Sequence, residues 1–385
     1  MTFLSHLKDS PKRKRHLWLI SLIFPMIPLL GIGLTELTGI IYMMFAPVVL
    51  IYLIVPMLEV LMGDDQYDLL GLMEEEAALS PFYRYMVHAL LPVVYVTWLW
   101  GAWYAATQDL PWLAYLAMGV AHGWGLAYAI NSGHETGHKT DKLSKWIALL
   151  MLAPSFYGHF RLEHNQGHHS DVATPKDSAT ARYGESLYAF MLREYPGTWK
   201  RAWAIEAKRA KRRGHSKWSL KNEVVVSILM SLVLWGSVIA WLGVSVIPYI
   251  FLSWIISVIA LSSQNYIAHY GLLRDRRPDG KFLPCQPEHS WNCNNLVTNL
   301  TSYNLARHSD HHANPSRHYQ HLRTFPDAPQ LPFGYMGMFW LAYLPPLFRR
   351  VMDPRVLANV GGDMGRVLTK EMARSYKADI KSKMA

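Results

Sequence analysis

The chain has 385 residues, 51% of them hydrophobic, and its 38 Lys and Arg outweigh 28 Asp and Glu to give a formal net charge of +10. Two cysteines without a C-x-x-C pair, Cys285 and Cys293, give no basis for a disulfide framework or a thiolate metal site. The positive charge admits nucleic acid, anionic lipid or an acidic protein as partner; apolar blocks of membrane-span length leave little room for a nucleic-acid module, so lipid is the default.

Taken in chain order, Lys8, Lys12, Arg13, Lys14 and Arg15 precede a first apolar block at 17–33. That block runs through Pro25 and Pro28 without an A-x-A site and leads into a second at 38–58, so it does not read as a cleaved signal peptide. An acidic patch, Asp64 to Glu76, follows and is expected to be solvated surface. Blocks at 85–106 and 112–131 precede a polar segment, 132–223, and blocks at 224–243 and 246–265 precede a polar C-terminal segment, 266–385. None of the six blocks contains Lys, Arg, Asp or Glu, and each has roughly the ~20 residues a helix needs to cross the hydrocarbon. A buried helix of a soluble protein would keep a polar face, which these lack.

Six spans divide the chain into a tail with spans one to four (1–131), a polar segment (132–223), spans five and six (224–265) and a second polar segment (266–385). The connections at 34–37, 107–111 and 244–245 carry no Lys or Arg, so all 38 basic residues fall on one side. The positive-inside tendency makes that side the cytoplasm, with both termini on it. The run Lys208 to Lys217, just ahead of span five, is placed to meet lipid headgroups. The predicted fold is therefore all-α: six transmembrane helices and a cytoplasmic cap.

Nine of the eighteen histidines fall in four tight groups. His134-Glu135-Thr136-Gly137-His138 continues the fourth span, and i, i+4 spacing puts both rings on one helix face. Glu163-His164-Asn165-Gln166-Gly167-His168-His169 has a second such pair with one ring added. His269 lies one turn beyond the sixth block, and His308, His311 and His312 follow Arg307 at i, i+3 and i+4. Alone, H-E-x-x-H is also the signature of a zinc protease, with Glu135 as general base. One tetrahedral zinc cannot use nine imidazoles. Two metals of higher coordination number with positions open to oxygen can, and imidazole suits iron. A carboxylate-bridged di-iron bundle would need the Glu-x-x-His half-motif twice, and Glu135-x-x-His138 is its only copy. A transporter would bind its ion near the bilayer midplane instead.

Metals at the inner ends of spans four and six would face a pocket between helices rich in Leu, Val, Trp and Tyr, open to a hydrocarbon from the bilayer. Oxidising an inert C–H bond with O2 needs two electrons per turnover. With no G-x-G-x-x-G, no C-x-x-C-H and no four-cysteine site, the chain implies a separate electron carrier, and its basic face would suit an acidic one.

At these residues the chain resembles the bacterial membrane-bound alkane 1-monooxygenases, within the wider group of membrane fatty-acid desaturases and hydroxylases. The resemblance covers nearly the whole length and rests on the motifs at His134 to Lys139, Glu163 to His169, Asn265 to Gly271 and Arg307 to Ala313. It implies that His134, His138, His164, His168, His169, His269, His308, His311 and His312 bind two irons. It also implies O2 as oxidant, electrons from a rubredoxin served by its reductase, and a medium-chain linear alkane converted to a primary alcohol in the inner membrane. A fatty-acyl desaturase or an aromatic-methyl hydroxylase on the same scaffold is the nearest alternative.

The chain departs from that pattern at Thr136, Ala268, Ala306 and Asn314. Ala268, where Glu is common, removes a carboxylate able to orient a neighbouring ligand ring. Glu135, Glu163, Asp310 and Asn265 are candidates to accept hydrogen bonds from the ligand rings. His88 and His122 lie inside spans, where a neutral His bonded to a neighbouring helix is expected.

Overall fold

The structure is a computed structural model that describes residues 16–65 and 80–384. The basic run Lys8 to Arg15 and most of the acidic patch lie outside the described residues. Among the described residues six helices are long and apolar enough to cross a membrane: Trp18–Thr38, Ile41–Met62, Pro81–Thr107, Trp112–Gly137, Glu223–Leu242 and Val244–His269. They are the six expected spans, in a multi-pass membrane protein. Apart from helices, the described residues contain only isolated β-bridges. Helices satisfy their own backbone hydrogen bonds, the condition the hydrocarbon imposes.

The first two spans are irregular, with 3-10 turns around Pro25 and a π turn at Leu50–Ile54, where Pro25, Pro28, Pro47 and Pro56 supply no N–H donor. Gly39 ends the first span at φ 70°, its N–H bonded to the Thr35 carbonyl at 2.8 Å.

Spans four and six pack together through small residues. A Cβ on Gly119 would overlap Leu252, and one on Gly123 would overlap Ile256 and stand 3.0 Å from the Ser253 carbonyl. Four residues apart, these glycines share a face and let the two backbones approach closely. The consequence lies at the far ends of the helices, where span four finishes with His134 to Gly137 and span six with His269.

On that side the polar segments form a helical cap. Lys142–Leu152 is capped by Asp141, which accepts the Ser144 N–H at 3.0 Å. His159–Glu163 continues through a π turn, His164–His168, into His169–Asp171. The long helix Leu187–Arg212 follows. After span six come Leu296–Ser302, His308–Ala313, Tyr335–Tyr343, Pro345–Asn359 and Lys370–Met384.

Buried polar contacts fasten this cap to the spans. Arg161 donates twice to Glu223, at 2.6 Å each, and to the Gly137 carbonyl at 3.3 Å, joining the start of span five to the end of span four. Glu59 of span two accepts hydrogen bonds from Thr298 and from the Met336 and Gly337 N–H groups. Breaking one partner of a buried pair such as Arg161 and Glu223 typically costs about 3–5 kcal/mol.

One expectation is corrected. Asp65, within the acidic patch, is 4% exposed and pairs with Arg307 at 3.1 Å, because the chain after span six folds back over it. His122 bonds the Met118 carbonyl of its own helix at 2.9 Å, and its ring also meets the Thr97 backbone of span three and, edge-on, Tyr249 of span six.

Gly123→Leu is expected to wedge spans four and six apart, with an overpacking cost of at least about 1–3 kcal/mol and loss of bound metal. Gly33→Leu, whose Cβ meets nothing within 4 Å, should leave both unchanged. Thermal melting and metal content of the two purified variants check this.

Candidate metal centre

His134 and His138 occupy the last turn of span four on one face, and His269 ends span six. The second motif departs from α geometry in a useful way. Its π turn adds a residue to the repeat, so His164 and His169 point to one place and His168 to another. In the fourth motif His308 and His312 face together, as i, i+4 neighbours do, and His311 turns the other way. Non-glycine residues in the left-handed region flank these motifs: Phe156 and Ala173 around the second, Tyr303 and Asn304 before the fourth. Such backbone costs about 1–3 kcal/mol per residue and persists where surrounding structure enforces it.

All nine rings gather into two adjoining groups. In the first, His134 Nε2 lies 2.8 Å from His164 Nε2, 3.0 Å from His311 Nε2 and 3.2 Å from His138 Nε2, while His169 Nε2 lies 3.0 Å from His164 Nε2. In the second, His308 Nε2 lies 3.0 Å from both His269 Nε2 and His312 Nε2, and the His168 ring stacks edge-on to His269 and His312 with centroids 4.9 Å away. The groups touch where His169 meets His312, centroids 4.5 Å apart.

Burial decides the charge of these rings. It pushes His138 and His308 down to about 3, and holds His164, His169, His311 and His312 well below the usual imidazole range, with neighbouring rings adding to the effect. These six rings are thereby favoured in the neutral form, in which each offers a lone pair. One nitrogen, His134 Nε2, has three others within 3.2 Å, more than a single N–H can satisfy. Lone pairs crowded this way repel unless a cation lies among them. At a metal–nitrogen bond of about 2.1 Å, right-angle ligands stand about 3.0 Å apart and tetrahedral ones about 3.4 Å. The observed separations match the right-angle case. Five imidazoles also exceed the four positions of a closed zinc site. The donor set is consistent with a metal centre.

The orienting carboxylate is one that the motifs did not reveal. Asp177 Oδ2 accepts a hydrogen bond from His168 Nδ1 at 2.9 Å and another from Thr180 at 2.6 Å, with Arg201 3.3 Å from Oδ1. Burial would raise this carboxyl, but His168, Arg201 and these hydrogen bonds outweigh it and bring Asp177 to about 2. With Nδ1 donating, His168 Nε2 is left as a buried lone pair without a hydrogen-bond partner, aimed at the second group. Arg201 also binds Asp171 and the Gly167 carbonyl.

The four expected acceptors lie elsewhere. Glu135 pairs with Lys139 at 2.7 Å, Glu163 faces Arg201 at 3.6 Å, and Asp310 is held by Arg323 and Arg317. Asn265 donates to Glu194 at 3.1 Å, a carboxylate that burial raises and that also binds Ser262. Among the described residues none of the four is hydrogen-bonded to a ring of the cluster, and no carboxylate bonds His269, beside Ala268. The i±1 position puts a carboxylate around the helix from its neighbouring ring. Asp177 reaches His168 because the chain reverses at Ala173, which no periodicity signals.

Two cavities approach the rings. One is lined by Trp124, Leu261, Met336 and Phe339 and ends at His134, His164 and His308. A polar one, lined by Arg84, Glu135, Lys139 and His318, reaches His138.

Residues 110–342 match the fatty acid desaturase family. Over 364 residues the chain is 40% identical to alkane 1-monooxygenase 1 of Alcanivorax borkumensis, covering 94% of this chain and 90% of that protein. The chain belongs to the alkane 1-monooxygenase family. The alkane 1-monooxygenase of Pseudomonas putida is 39% identical over the same shares, 94% and 90%. A more distant relative in this group is the xylene/toluene monooxygenase hydroxylase component of Pseudomonas putida, 30% identical over 58% of the chain. Membership makes the chain an oxidoreductase of the monooxygenase type, and the histidine clusters are consistent with the metal site such chemistry needs.

Asp177→Asn keeps the shape of the side chain and removes its charge. Metal retention is expected to fall roughly 10- to 100-fold, measured as metal per chain after dialysis against a chelator. Asp279→Asn, at an exposed position, is the control, and equal retention in both variants would deny Asp177 the role.

Proposed function

We propose that the chain hydroxylates the terminal methyl group of medium-chain linear alkanes, with the nine clustered histidines holding two irons. The observation that carries this reading is the apolar cavity that ends on the rings. A hydrocarbon chain fits its walls, and Trp124, Leu261 and Phe339 keep water from the end where a methyl group meets His134, His164 and His308. Two irons bound there supply the reduction of O2 by two electrons and two protons, one oxygen atom going to the alcohol and the other to water. The rings contribute neutral donors, and Asp177 fixes the tautomer of His168.

The polar cavity at His138 gives protons a path that does not cross the hydrocarbon cavity. Electrons come from outside the chain, in this reading from a rubredoxin that meets the basic, cytoplasmic side. Similarity to the xylene/toluene hydroxylase component favours aromatic methyl groups as a second substrate class. In both cases the bond attacked is a methyl C–H.

Detergent-purified protein is expected to contain two irons per chain, with a Mössbauer signature of a coupled pair, and to form 1-octanol from octane when given rubredoxin and its reductase. Parallel assays with xylene and a fatty acyl substrate separate the alternatives by product. A single zinc per chain with no O2 uptake would overturn the reading.

Ala127 lines the apolar cavity. Ala127→Phe should shorten the longest alkane accepted while leaving iron content at the wild-type value, as read by product analysis across a C6 to C16 series.

A further inference from the structure

A third cavity, of about 860 Å³, lies away from the rings at the start of span five. It forms where the Lys142–Leu152 helix, the end of the Leu187–Arg212 helix and the approach to Glu223 come together. Four cations line it, Lys145, Arg209, Arg213 and Lys221, against two carboxylates, Glu206 and Glu223. Lys145 is 2.9 Å from Glu223, and Arg209 is 2.9 Å from Glu206. Glu223 already serves Arg161. Among the described residues no carboxylate pairs with Arg213 or Lys221; the Lys221 ammonium meets only His215 Nε2, at 3.3 Å. Two cations are therefore presented to whatever enters.

Apart from His215, Ser219 and Asn222, the rest of the lining is apolar. Trp146 and Leu220, 49% and 72% exposed, stand at its edge. Val226 lines it from the first turn of span five, and Leu229 and Val233, three and seven residues on, continue the same helix face at 43% and 67% exposure. A cationic pocket at the foot of an exposed apolar stripe, with a tryptophan at the boundary, has the layout of the membrane interface.

We propose that this cavity binds an anionic phospholipid, its phosphate between Arg213 and Lys221 and an acyl chain along Val226, Leu229 and Val233. A free phosphate ion would use the cations and have no need of the stripe. An acidic protein would be kept from the apolar edge by surrounding lipid. The lipid has a structural path to the metal centre, because Glu223 at the cavity wall binds Arg161, which binds the carbonyl of Gly137 between His134 and His138. Occupancy should therefore stabilise the fold as well as bind. The inference is independent of which metal the rings hold.

The test uses the full chain, purified in neutral detergent, with Arg213→Ala/Lys221→Ala as the variant. Both side chains are exposed, so the variant should fold; Lys281→Ala, an exposed cation elsewhere, is the control. Native mass spectrometry is expected to show one phosphatidylglycerol retained in preference to phosphatidylcholine, and melting to rise with phosphatidylglycerol alone. At about fivefold for each cation near the surface, the double variant should bind phosphatidylglycerol roughly 30-fold more weakly, and the control should match wild type. Equal retention and equal melting shifts in wild type and double variant would overturn the proposal. So would the full shift from inorganic phosphate or glycerol phosphate alone, which makes the site one for a free anion. Loss of reduction by a rubredoxin with an unchanged lipid response would assign the patch to a protein partner instead.

Discussion

Imidazole nitrogens turned toward one another in a buried cluster repel where their lone pairs meet, and positive charge among them relieves the repulsion. This electrostatic constraint governs the rest of the structure. Burial disfavours protonation of rings such as His164 and His311, since imidazolium ions so close together and so deeply buried are costly. Rings buried this way and held close together by the fold are consistent with a preorganised metal site.

Holding nine rings against their own repulsion requires rigid supports, and the spans provide them. His134, His138 and His269 stand at the ends of two helices whose glycines bring the backbones into contact. The other six rings come from short helices that would not be stable alone. Their positions are set by buried ion pairs, Arg161 with Glu223 and Arg201 with Asp177, and by left-handed residues at the chain reversals. The π turn at His164–His168 is the same principle in the backbone itself. One added residue in the helical repeat divides a single motif between two groups of rings.

The surroundings of the rings are asymmetric. An apolar cavity between the spans ends at His134, His164 and His308, whereas the cavity that reaches His138 is lined by Arg84, Glu135 and Lys139. Oxygenating a hydrocarbon calls for this separation, since substrate partitions from lipid while protons come from the aqueous side. Helices that cross the bilayer and stop at its surface place one set of rings at the boundary between both phases.

Much of this was legible in the amino-acid order. Runs of about twenty apolar residues specify spans because an uncharged helix of that length has no better place than the hydrocarbon. The i, i+4 pairs at His134 and His308 specify shared helix faces because 3.6 residues complete a turn. Composition likewise removed thiolate metal sites from consideration. What only the tertiary structure decided is how the rings divide and what orients them. His164 parts from His168 because of a π turn that leaves no periodic mark, and Asp177 reaches His168 across a reversal at Ala173. Neighbours in sequence such as Glu135, Glu163 and Asp310 were plausible partners for the rings, yet a helix turns them away from the ring beside them, toward Lys139, Arg201 and Arg323. Sequence reports local geometry, which depends on a few adjacent residues; the second partner of a buried polar group is chosen by whichever distant segment packs against it.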